Sequence, residues 1–538
     1  MQKMIRRPAR TPRLLLTFVA SAMATLAVVA GTPARPQLVV GIVVDGLEQD
    51  YIDLLRDSFG TGGFNRLLKQ GVVIPALDYG TPLDAHGATA VLMTGATADI
   101  SGIDAASRFD RDALRTVPLL HDPAAMGNYT DETYSPAALA VSTIADEARI
   151  AGGGVTAVYA IAADPQQAIL LGGHAANSAL WLNASNGNWA TSTFYKEPPV
   201  TLAARNRLRP LSVRLDTMSW TPLRAAEAYT HLPDHLTRYP FRYTFGRSKA
   251  ERVAKFTGTP LLNSEITQLA AEIIATPDFG SHDGTDMLNV AYTIRPFVDS
   301  KSADTRYELM DTYLRLDRDL EQLFAAVDRG PGMDRTLVYL AATPPGSRSR
   351  RDDERWNVPF GEFSTRKAIS LLNMYLIALH GNGDWVKGYH RNAFYLNDKL
   401  INERNIDPAL IRTEAADFLE RMSGVRRAFT IDDIINERAG EGSQAMRRNT
   451  SIAHSGDVYI APAAGWEVVD DWQTPADATR TPIVHREVAP TGIAIIMAPG
   501  IDARTIATPV DARSVAPTVA RLLRIRSPNG AALPALPL

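Results

Sequence analysis

Asp45 stands directly after a continuous apolar run, residues 38–44, in which no polar side chain alternates with the apolar ones. Such a run is typical of a strand buried on both faces of a parallel sheet. Ligands of open α/β sheets gather at the carboxyl ends of the strands, so a carboxylate in this place is a candidate metal ligand. The alternative is a structural role, in which Asp45 caps the helix that follows.

Two further groups of polar residues have spacings that metal sites use. His231 and His235 are four residues apart, but Pro233 between them favours a loop or turn over a helix. The polar cluster 282–286 contains a histidine and two aspartates before an apolar run, which favours a loop. No glycine-rich phosphate loop and no serine-triad motif stands out in the sequence.

The elements that must position these residues alternate in type along the chain. Short apolar runs at 155–161, 337–342 and 492–497 are similar to the first one, and helical periodicity fills much of the sequence between them. This alternation predicts an α/β fold.

Three helices are well marked. Apolar residues recur at a spacing of 3.6 over residues 310–327, with charged residues on the other face. A second helix is predicted over 408–422, with Asp407 as its N-cap and a proline at its first position. A shorter one is predicted over Val515–Leu523.

The bulk composition excludes several classes of protein. The chain has 538 residues, 45% of them apolar, so it can bury a large core and is expected to form one big domain with insertions. A formal charge of -3 provides no basic field for nucleic acid, which is therefore not an expected partner. Because the chain has no cysteine, disulfides, thiol catalysis and cysteine-bound zinc are excluded.

Residues 1–30 have the layout of a secretory signal peptide. Basic residues are concentrated before residue 14, and an apolar stretch rich in small residues follows up to Ala30. Val28 and Ala30 fit the positions before a cleavage site, and Ala34 is a second option. We therefore expect an exported protein, periplasmic or secreted. The alternative is an uncleaved segment that tethers the chain to a membrane.

Two stretches of the sequence are predicted to be insertions into the main domain. Between about residues 106 and 282 the composition shifts toward Gly, Asn, Pro and aromatic residues, which predicts an inserted subdomain. A second irregular insert is predicted over about 344–450, and its arginine-rich start is balanced by acidic residues, as in a solvated loop.

A series of short motifs runs through the chain. They are Val43-Val44-Asp45-Gly46, Thr94-Gly95, Gly102-Ile103, the segments 130–136, 142–147, 173–177 and 311–317, Ser455-Gly456-Asp457, Gly465-Trp466 and Pro528-Asn529-Gly530. Together they resemble the motifs of the phosphate-irrepressible alkaline phosphatases, in the alkaline phosphatase superfamily, to which type I phosphodiesterases and nucleotide pyrophosphatases are similar. The resemblance covers residues 37–538. It implies a three-layer α/β sandwich with a mostly parallel central sheet and helices on both faces.

The resemblance also implies a definite chemistry. Members of this family hold two zinc ions on Asp and His ligands, and a Thr or Ser nucleophile attacks phosphate while nearby donors bind the phosphate oxygens. The nucleophile position falls on Ala85 or, with one gap, on Asp84, and neither residue has a hydroxyl. Thr81 and Thr89 flank the position, but using either would require a shift of the helix register.

The other implied positions are also changed. The family's phosphate donors fall on Ala106, Asp164 and Gln166, and an aspartate in place of a lysine repels a phosphate dianion. The zinc ligands that the resemblance implies fall on non-ligating residues at four places, Ala291, Arg295, Thr343 and Pro344.

Two ligands of the implied set remain. Asp45 is retained, and His485 is the histidine available for the last ligand, with a surface-loop histidine as the alternative. A catalytic zinc needs about three protein ligands. We therefore expect no cofactor, with a single divalent cation (Mg²⁺, Ca²⁺ or Zn²⁺) at Asp45 as the alternative, where Asp84 would be a second carboxylate for a hard cation.

Two functions remain open on the sequence. The first is a catalytically inactive member of the superfamily, with a binding or scaffold role in the old pocket or its inserts. The second is a divergent metal-dependent phosphomonoesterase or phosphodiesterase that acts through Asp45, Asp84 and His485.

Overall fold

The apolar run before Asp45 forms a strand in the middle of a large mixed sheet in the computed structural model of the chain. The structure describes residues 35–81, 83–246, 249–300, 304–344, 361–438, 440, 442–473 and 491–538, together with the backbone of 482–484. The predicted signal segment, residues 1–30, lies outside these residues.

The strands of the described residues are β1 (Leu38–Asp45), β2 (Val72–Asp78), β3 (Ser107–Asp110), β4 (Arg115–Pro118), β5 (Gly127–Asn128), β6 (Val158–Ala162), β7 (Ser178–Leu182), β8 (Trp189–Ser192), β9 (Ser219–Trp220), β10 (Tyr243–Thr244), β11 (Asp286–Thr293), β12 (Thr336–Ala342), β13 (Gly361–Ser364), β14 (Val386–His390), β15 (Ala393–Leu396), β16 (Val425–Thr430), β17 (Val458–Pro462), β18 (Trp466–Val469), β19 (Pro482–Val484), β20 (Thr491–Met497), β21 (Arg504–Thr505) and β22 (Val510–Asp511).

The α-helices of the same residues are α1 (Gln49–Leu55), α2 (Phe64–Gln70), α3 (Ala85–Thr94), α4 (Ala98–Ser101), α5 (Ile144–Ala151), α6 (Pro165–Gly172), α7 (Val200–Leu208), α8 (Leu211–Arg214), α9 (Asp234–Thr237), α10 (Lys249–Thr257), α11 (Leu261–Ile274), α12 (Arg306–Arg329), α13 (Thr365–His380), α14 (Asp398–Glu403), α15 (Pro408–Glu420), α16 (Ile431–Ile435), α17 (Ser443–Arg448) and α18 (Val515–Leu523).

The central sheet has the strand order β21-β2-β20-β12-β1-β11-β6-β7-β8-β5, and β22 also pairs with β2. The strands β12, β1, β11, β6 and β7 run parallel to one another, while β20 and β8 are antiparallel to their neighbours. The four apolar runs recognised in the sequence are β1, β6, β12 and β20. The predicted α/β class and the mostly parallel sheet are therefore confirmed.

Helices cover both faces of this sheet. Alternate residues of β1 enter two different cores, since Val40 and Ile42 pack with α11 and α12, whereas Val39 and Val43 pack with α3 and α6. All four of these valine and isoleucine residues have no exposed surface. Such two-sided burial explains the absence of polar alternation in the strand, and it confirms the predicted three-layer sandwich.

The long helix α12 extends the predicted segment 310–327 by a few residues at each end. Two of its buried acids hold distant segments in place. Asp317 accepts hydrogen bonds from the backbone N–H groups of Gly60 (2.7 Å) and Phe64 (2.8 Å), which fixes the start of α2. Asp311 accepts a hydrogen bond of 2.7 Å from the indole N–H of Trp220. The motif 311–317 therefore holds the start of α2 and the segment around Trp220 against α12.

The two shorter predicted helices are also confirmed. α15 begins after Asp407, whose carboxylate accepts a 3.0 Å hydrogen bond from the N–H of Ala409, as expected of an N-cap. It ends at Glu420, two residues before the predicted end. α18 has the predicted bounds.

The segment 106–282 is not one inserted subdomain, as the composition had indicated. Its strands β6 and β7 belong to the central sheet, and its helices α5 and α6 pack against that sheet. The glycine- and asparagine-rich stretches are the connections between these elements. The composition of the segment reflects these connections, because the short strands between them have too few residues to change the average composition.

The second insert, 344–450, is mostly regular where the structure describes it. Residues from 365 onward form α13, α14 and α15 around the four-stranded sheet β14-β15-β17-β16, with a core of their own. The prediction of an irregular insert is therefore wrong for this part, while residues 345–360 lie outside the described residues. Residues 35–538 form one compact unit, and none of its described helices is long and apolar enough to span a bilayer.

Candidate functional site

Asp45 lies at the carboxyl end of β1, beside the ends of β11 and β12. Its Oδ1 atom accepts a hydrogen bond of 2.7 Å from the hydroxyl of Thr343. Burial raises the pKa of Asp45, and the hydrogen bond from Thr343 and the positive charges of Arg295 and His86 offset part of this rise. The strand-end carboxylate is thus present, and a hydroxyl of the same chain already engages it.

Asp84 is the N-cap of α3, in extended backbone conformation. Its Oδ1 atom accepts hydrogen bonds from the N–H groups of His86 (3.0 Å) and Gly87 (2.9 Å), and its Oδ2 atom accepts one from the N–H of Ala106 (2.8 Å). Capping of this kind fixes where a helix begins. Asp84 therefore stands at the position that opens the helix, and Ala85 is the first helical residue.

The two threonines near this helix start do not supply a free hydroxyl. Thr89 has no exposed surface, and its hydroxyl donates to the carbonyl of Ala85 (2.6 Å) inside the helix. Thr81 accepts a hydrogen bond from the side-chain amide of Asn449. Since the cap at Asp84 sets the register of α3, neither threonine reaches the helix-opening position.

His86 is a site residue that the sequence analysis missed. It lies in the first turn of α3, and its Nε2 atom is 2.8 Å from Oδ1 of Asp164, the N-cap of α6. The side chain of Asp164 is 43% exposed and that of His86 is 16% exposed, so the pair is partly open to solvent. The region of Asp45, Asp84, His86 and Asp164 is called the pocket below. A sequence signal existed, because a carboxylate placed where the resemblance implies a lysine needs a cation beside it.

The charges around His86 act on it together. Burial lowers the pKa of His86, but the hydrogen bond and charge of Asp164 and the charges of Asp84 and Asp45 outweigh it, so that its pKa is raised above the ordinary value. Burial raises the pKa of Asp164, but the hydrogen bond and charge of His86 and the backbone N–H groups of Gln167 and Gln166 together outweigh it and lower the pKa overall. The neighbouring carboxylates thus favour the protonated form of His86.

The second insert, with its sheet β14-β15-β17-β16 and its own core, is called the second subdomain below. It contacts this region, which the sequence analysis also missed. Arg391 donates to the backbone carbonyl of Asp104 (3.1 Å), and its Nη1 atom lies 3.7 Å from the carboxylate of Asp104. His390 lies next to it, with Nε2 3.0 Å from the carbonyl oxygen of Ser107. Burial raises the pKa of Asp104, and Arg391 offsets part of the rise. The segment before β3 is therefore held from both sides.

The comparison with protein families covers most of this architecture. A family model described as type I phosphodiesterase / nucleotide pyrophosphatase matches residues 39–489. The chain belongs to this family. The match includes β1 with Asp45, the start of α3 and the whole second subdomain.

Individual members of the phosphodiesterase family are similar over nearly their full length. Alkaline phosphatase PhoV of Synechococcus elongatus is 28% identical over 540 residues, which covers 93% of this chain and 92% of PhoV. Alkaline phosphatase PafA of Elizabethkingia meningoseptica is 26% identical over 517 residues, which covers 92% of this chain and 93% of PafA. The crystal structure of wild-type PafA superimposes with a TM-score of 0.81 at 24% identity, over 94% of this chain and 99% of that chain. The chain therefore has the fold of alkaline phosphatase PafA.

The residues at the positions that the resemblance implies for phosphate donors make other contacts here. The backbone N–H of Ala106 donates a hydrogen bond to Asp84, and the side chain of Asp164 is paired with His86. Gln166 is buried, and its Oε1 atom accepts a 2.9 Å hydrogen bond from the N–H of Leu120. The side chains of Ala106 and Asp164 have no hydrogen-bond donor for a phosphate, and the side-chain oxygen of Gln166 is used by the backbone of Leu120.

The residues at the positions implied for zinc ligands also have structural roles. Ala291 is a buried residue of β11 whose register partner is Val43. Arg295 is exposed, and its guanidinium donates to the carbonyl of Thr257 (2.9 Å). Pro344 is buried and has no side-chain donor or acceptor. His485, the candidate for the last ligand, lies outside the described residues.

The remaining donor set does not fit a pair of zinc ions. Among the described residues no three His, Asp or Glu side chains come together as a group that could hold a metal ion. Both oxygens of Asp84 are engaged by N–H groups, and one oxygen of Asp45 is engaged by Thr343. A catalytic zinc needs about three protein ligands. The absence of a cofactor, and the alternative of one divalent cation at Asp45, both stay predictions.

The other histidine groups in the sequence have no metal-like geometry. His231 and His235 are both exposed, and the helix that contains His235 is the four-residue α9. His282 is 3.0 Å from the Oδ2 atom of Asp286, which also accepts a 2.7 Å hydrogen bond from the N–H of Gly280. The second group anchors the loop before β11, as the loop interpretation predicts.

Proposed function

We propose that this chain is a non-hydrolytic member of its family, an exported protein that uses the inherited fold for binding or as a scaffold. The observation that supports this most directly is the state of Asp84. The residue that opens α3 has a carboxylate in place of a hydroxyl, and three backbone N–H groups engage its two oxygens. A nucleophilic mechanism of the family type needs an alcohol that can lose a proton, and Asp84 has none.

The charges of the pocket support the same proposal. The charges of Asp45, Asp84 and Asp164 all act on the imidazole of His86. Arg295 is a further cation that acts on Asp45, so these residues comprise three carboxylates and two basic side chains. A phosphate monoester brings two further negative charges, and like charges repel several-fold more strongly in a partly buried pocket than in water. The pocket is therefore better suited to a neutral or positively charged ligand than to a phosphate ester.

Thr343 is the hydroxyl that an alternative mechanism would have to use, because it is hydrogen-bonded to Asp45. It is completely buried, and its backbone N–H donates to the carbonyl of Val44 (3.1 Å). A group buried in this way does not meet a substrate without local unfolding of the strand end. The hydroxyl of Thr343 acts instead as a donor that holds the carboxylate of Asp45.

A hydrolysis assay on the purified full-length protein tests the proposal. We expect no hydrolysis of an aryl phosphate or a bis-aryl phosphate in the presence of Zn²⁺, Mg²⁺, Mn²⁺ or Ca²⁺ above the level of the Asp45→Ala variant. The PafA protein, assayed in parallel, is the positive control. A wild-type rate with any of these metals that Asp45→Ala abolishes would refute the proposal.

The second candidate is a divergent metal-dependent phosphomonoesterase or phosphodiesterase, acting through Asp45, Asp84 and His485. The observation that favours it is the full-length similarity to two proteins named alkaline phosphatases. It requires a divalent metal in stoichiometric amount, which elemental analysis of the purified protein measures. One or two equivalents of metal, lost together with activity in Asp45→Ala, would favour this candidate over the first.

A further inference from the structure

The three N–H groups that hold Asp84 come from two separate segments of the chain. His86 and Gly87 provide two of them from the first turn of α3, and Ala106 provides the third from the segment before β3. The donors approach the two oxygens of one carboxylate from different sides, at 2.8 to 3.0 Å. The arrangement is a cradle of backbone donors, formed by Asp84's neighbours, and it is filled by a side chain of the same chain.

Packing holds the two segments together independently of Asp84. A Cβ atom at Gly87 would lie 2.8 Å from the carbonyl oxygen of Asp104, so only glycine permits this approach of α3 to the segment before β3. Arg391 of the second subdomain holds the same carbonyl from the other side (3.1 Å). Because these contacts do not involve the carboxylate, we expect the cradle to keep its shape when the carboxylate is removed.

We infer that the carboxylate of Asp84 is an internal anion that fills this cradle and so excludes phosphate and other oxyanions from it. A tethered carboxylate has the advantage over a free anion, since it loses little translational freedom on binding. Asp84 therefore sets the ligand class of the pocket. This inference rests on the proposed function in one respect, because both take Asp84 to be the residue that stands at the start of α3.

Removal of the carboxylate, followed by addition of a free one, tests the inference. In Asp84→Ala we expect amide hydrogen exchange at His86, Gly87 and Ala106, measured by mass spectrometry of short peptides, to be at least tenfold faster than in the wild type. Added sodium formate, which carries the same functional group without the chain, restores the protection, and orthophosphate does so in part. In the wild type neither anion changes exchange in these peptides. Sodium chloride at equal ionic strength separates specific binding from screening.

A matched control comes from another N-cap. Asp407 caps α15 through one N–H group, that of Ala409, and no donor from a second segment meets it among the residues that the structure describes. In Asp407→Ala we expect faster exchange in the first turn of α15 that formate does not reverse. Restoration by formate in both variants would show a general effect at helix ends and would overturn the inference, as would an absence of restoration in Asp84→Ala.

Two further measurements keep the inference testable if Asp84→Ala does not fold. Asp84→Asn keeps one side-chain oxygen acceptor and has no charge, so part of the protection is retained, and formate adds little because the amide still occupies the cradle. Orthophosphate binding to the wild type, followed by phosphorus NMR, is expected to be undetectable at millimolar concentration, and saturable binding that excludes formate would overturn the inference. Hydrolysis assays decide the proposed function separately, because a filled cradle and an active site elsewhere in the pocket are compatible.

Discussion

Asp319 is a carboxyl group on α12 that the fold buries almost completely, with 2% of the residue exposed. The hydroxyl of Ser264 donates a 3.0 Å hydrogen bond to its Oδ2 atom. Burial raises the pKa of Asp319 to about 7, although the hydrogen bond from Ser264 and the charges of Arg315 and Arg318 act to lower it. The folded chain therefore keeps this carboxyl neutral at pH values where the unfolded chain has already ionised it.

The sign and size of the effect on stability follow from this difference. Between the ordinary pKa of 3.8 and the raised pKa of about 7, the folded state binds a proton that the unfolded state has lost, so stability falls as the pH rises through this range. At about 1.4 kcal/mol per pKa unit, the shift destabilises the fold at pH 8 by up to about 4 kcal/mol relative to low pH. Above pH 7 the loss is complete and stability no longer depends on this group.

The Asp319→Asn substitution removes the ionisation and keeps an oxygen for Ser264 to donate to. We expect the variant to gain stability over the wild type as the pH rises, with the difference in unfolding free energy widening by about 2 to 3 kcal/mol between pH 5 and pH 8. Urea denaturation of both proteins at pH 5, 6, 7 and 8 measures this difference.

A second variant separates ionisation from packing at the same place. Ser264→Ala removes a hydrogen bond that stabilises the charged carboxylate, so its destabilisation should be larger at pH 8 than at pH 5. A gap between wild type and Asp319→Asn that stays constant from pH 5 to pH 8 would refute the raised pKa and the reasoning from burial.

Other buried groups give three more tests. Asp317→Ala should lower the unfolding free energy by about 2 to 4 kcal/mol, because it leaves two N–H groups at the start of α2 without an acceptor. Urea denaturation measures this loss, and a value below about 1 kcal/mol would contradict the structural role of Asp317. Arg412→Ala should cost about 2 kcal/mol, since it removes one of the two arginines paired with the buried Asp457, and an unchanged thermal midpoint would argue against it. Asp45→Asn should stabilise the fold more at pH 7 than at pH 4, because burial disfavours the charged carboxylate and raises the pKa of Asp45. Urea denaturation at both pH values measures this, and destabilisation with loss of bound metal in elemental analysis would instead indicate a metal site.

The large elements of the fold were predictable because their patterns are long and unmixed. The run 38–44 is buried on both faces, and α12 has an apolar face that continues for more than six turns, so a single period dominates each sequence window. β6 and β7 have five residues each and lie among glycine-rich connections. Composition averaged over such a stretch indicates loops, and it assigned strands of the central sheet to an insertion.

The sequence gives the residue types at the candidate site positions, but it does not give the contacts that these residues make. Changed residue types at 106, 164 and 291 can be read directly from the chain, without any knowledge of distances. The pairing of His86 with Asp164 joins residues 78 positions apart, and it depends on where α3 and α6 begin in space. A helix start is set by its cap, and the capping residue is clear only when its hydrogen bonds are known. For this reason Ala85 and Asp84 both remained candidates for the implied nucleophile position.

The buried acids of α12 bear on how chains of this kind are recognised. Asp311 and Asp317 bind groups that lie more than eighty residues away along the sequence, and loss of either would detach a helix or a loop from the central layer. The motif that contains them is required for assembly of the scaffold whether or not the pocket performs any reaction. A genome search that uses this motif will therefore retrieve proteins that share an architecture, and their catalytic competence has to be judged residue by residue at the strand ends.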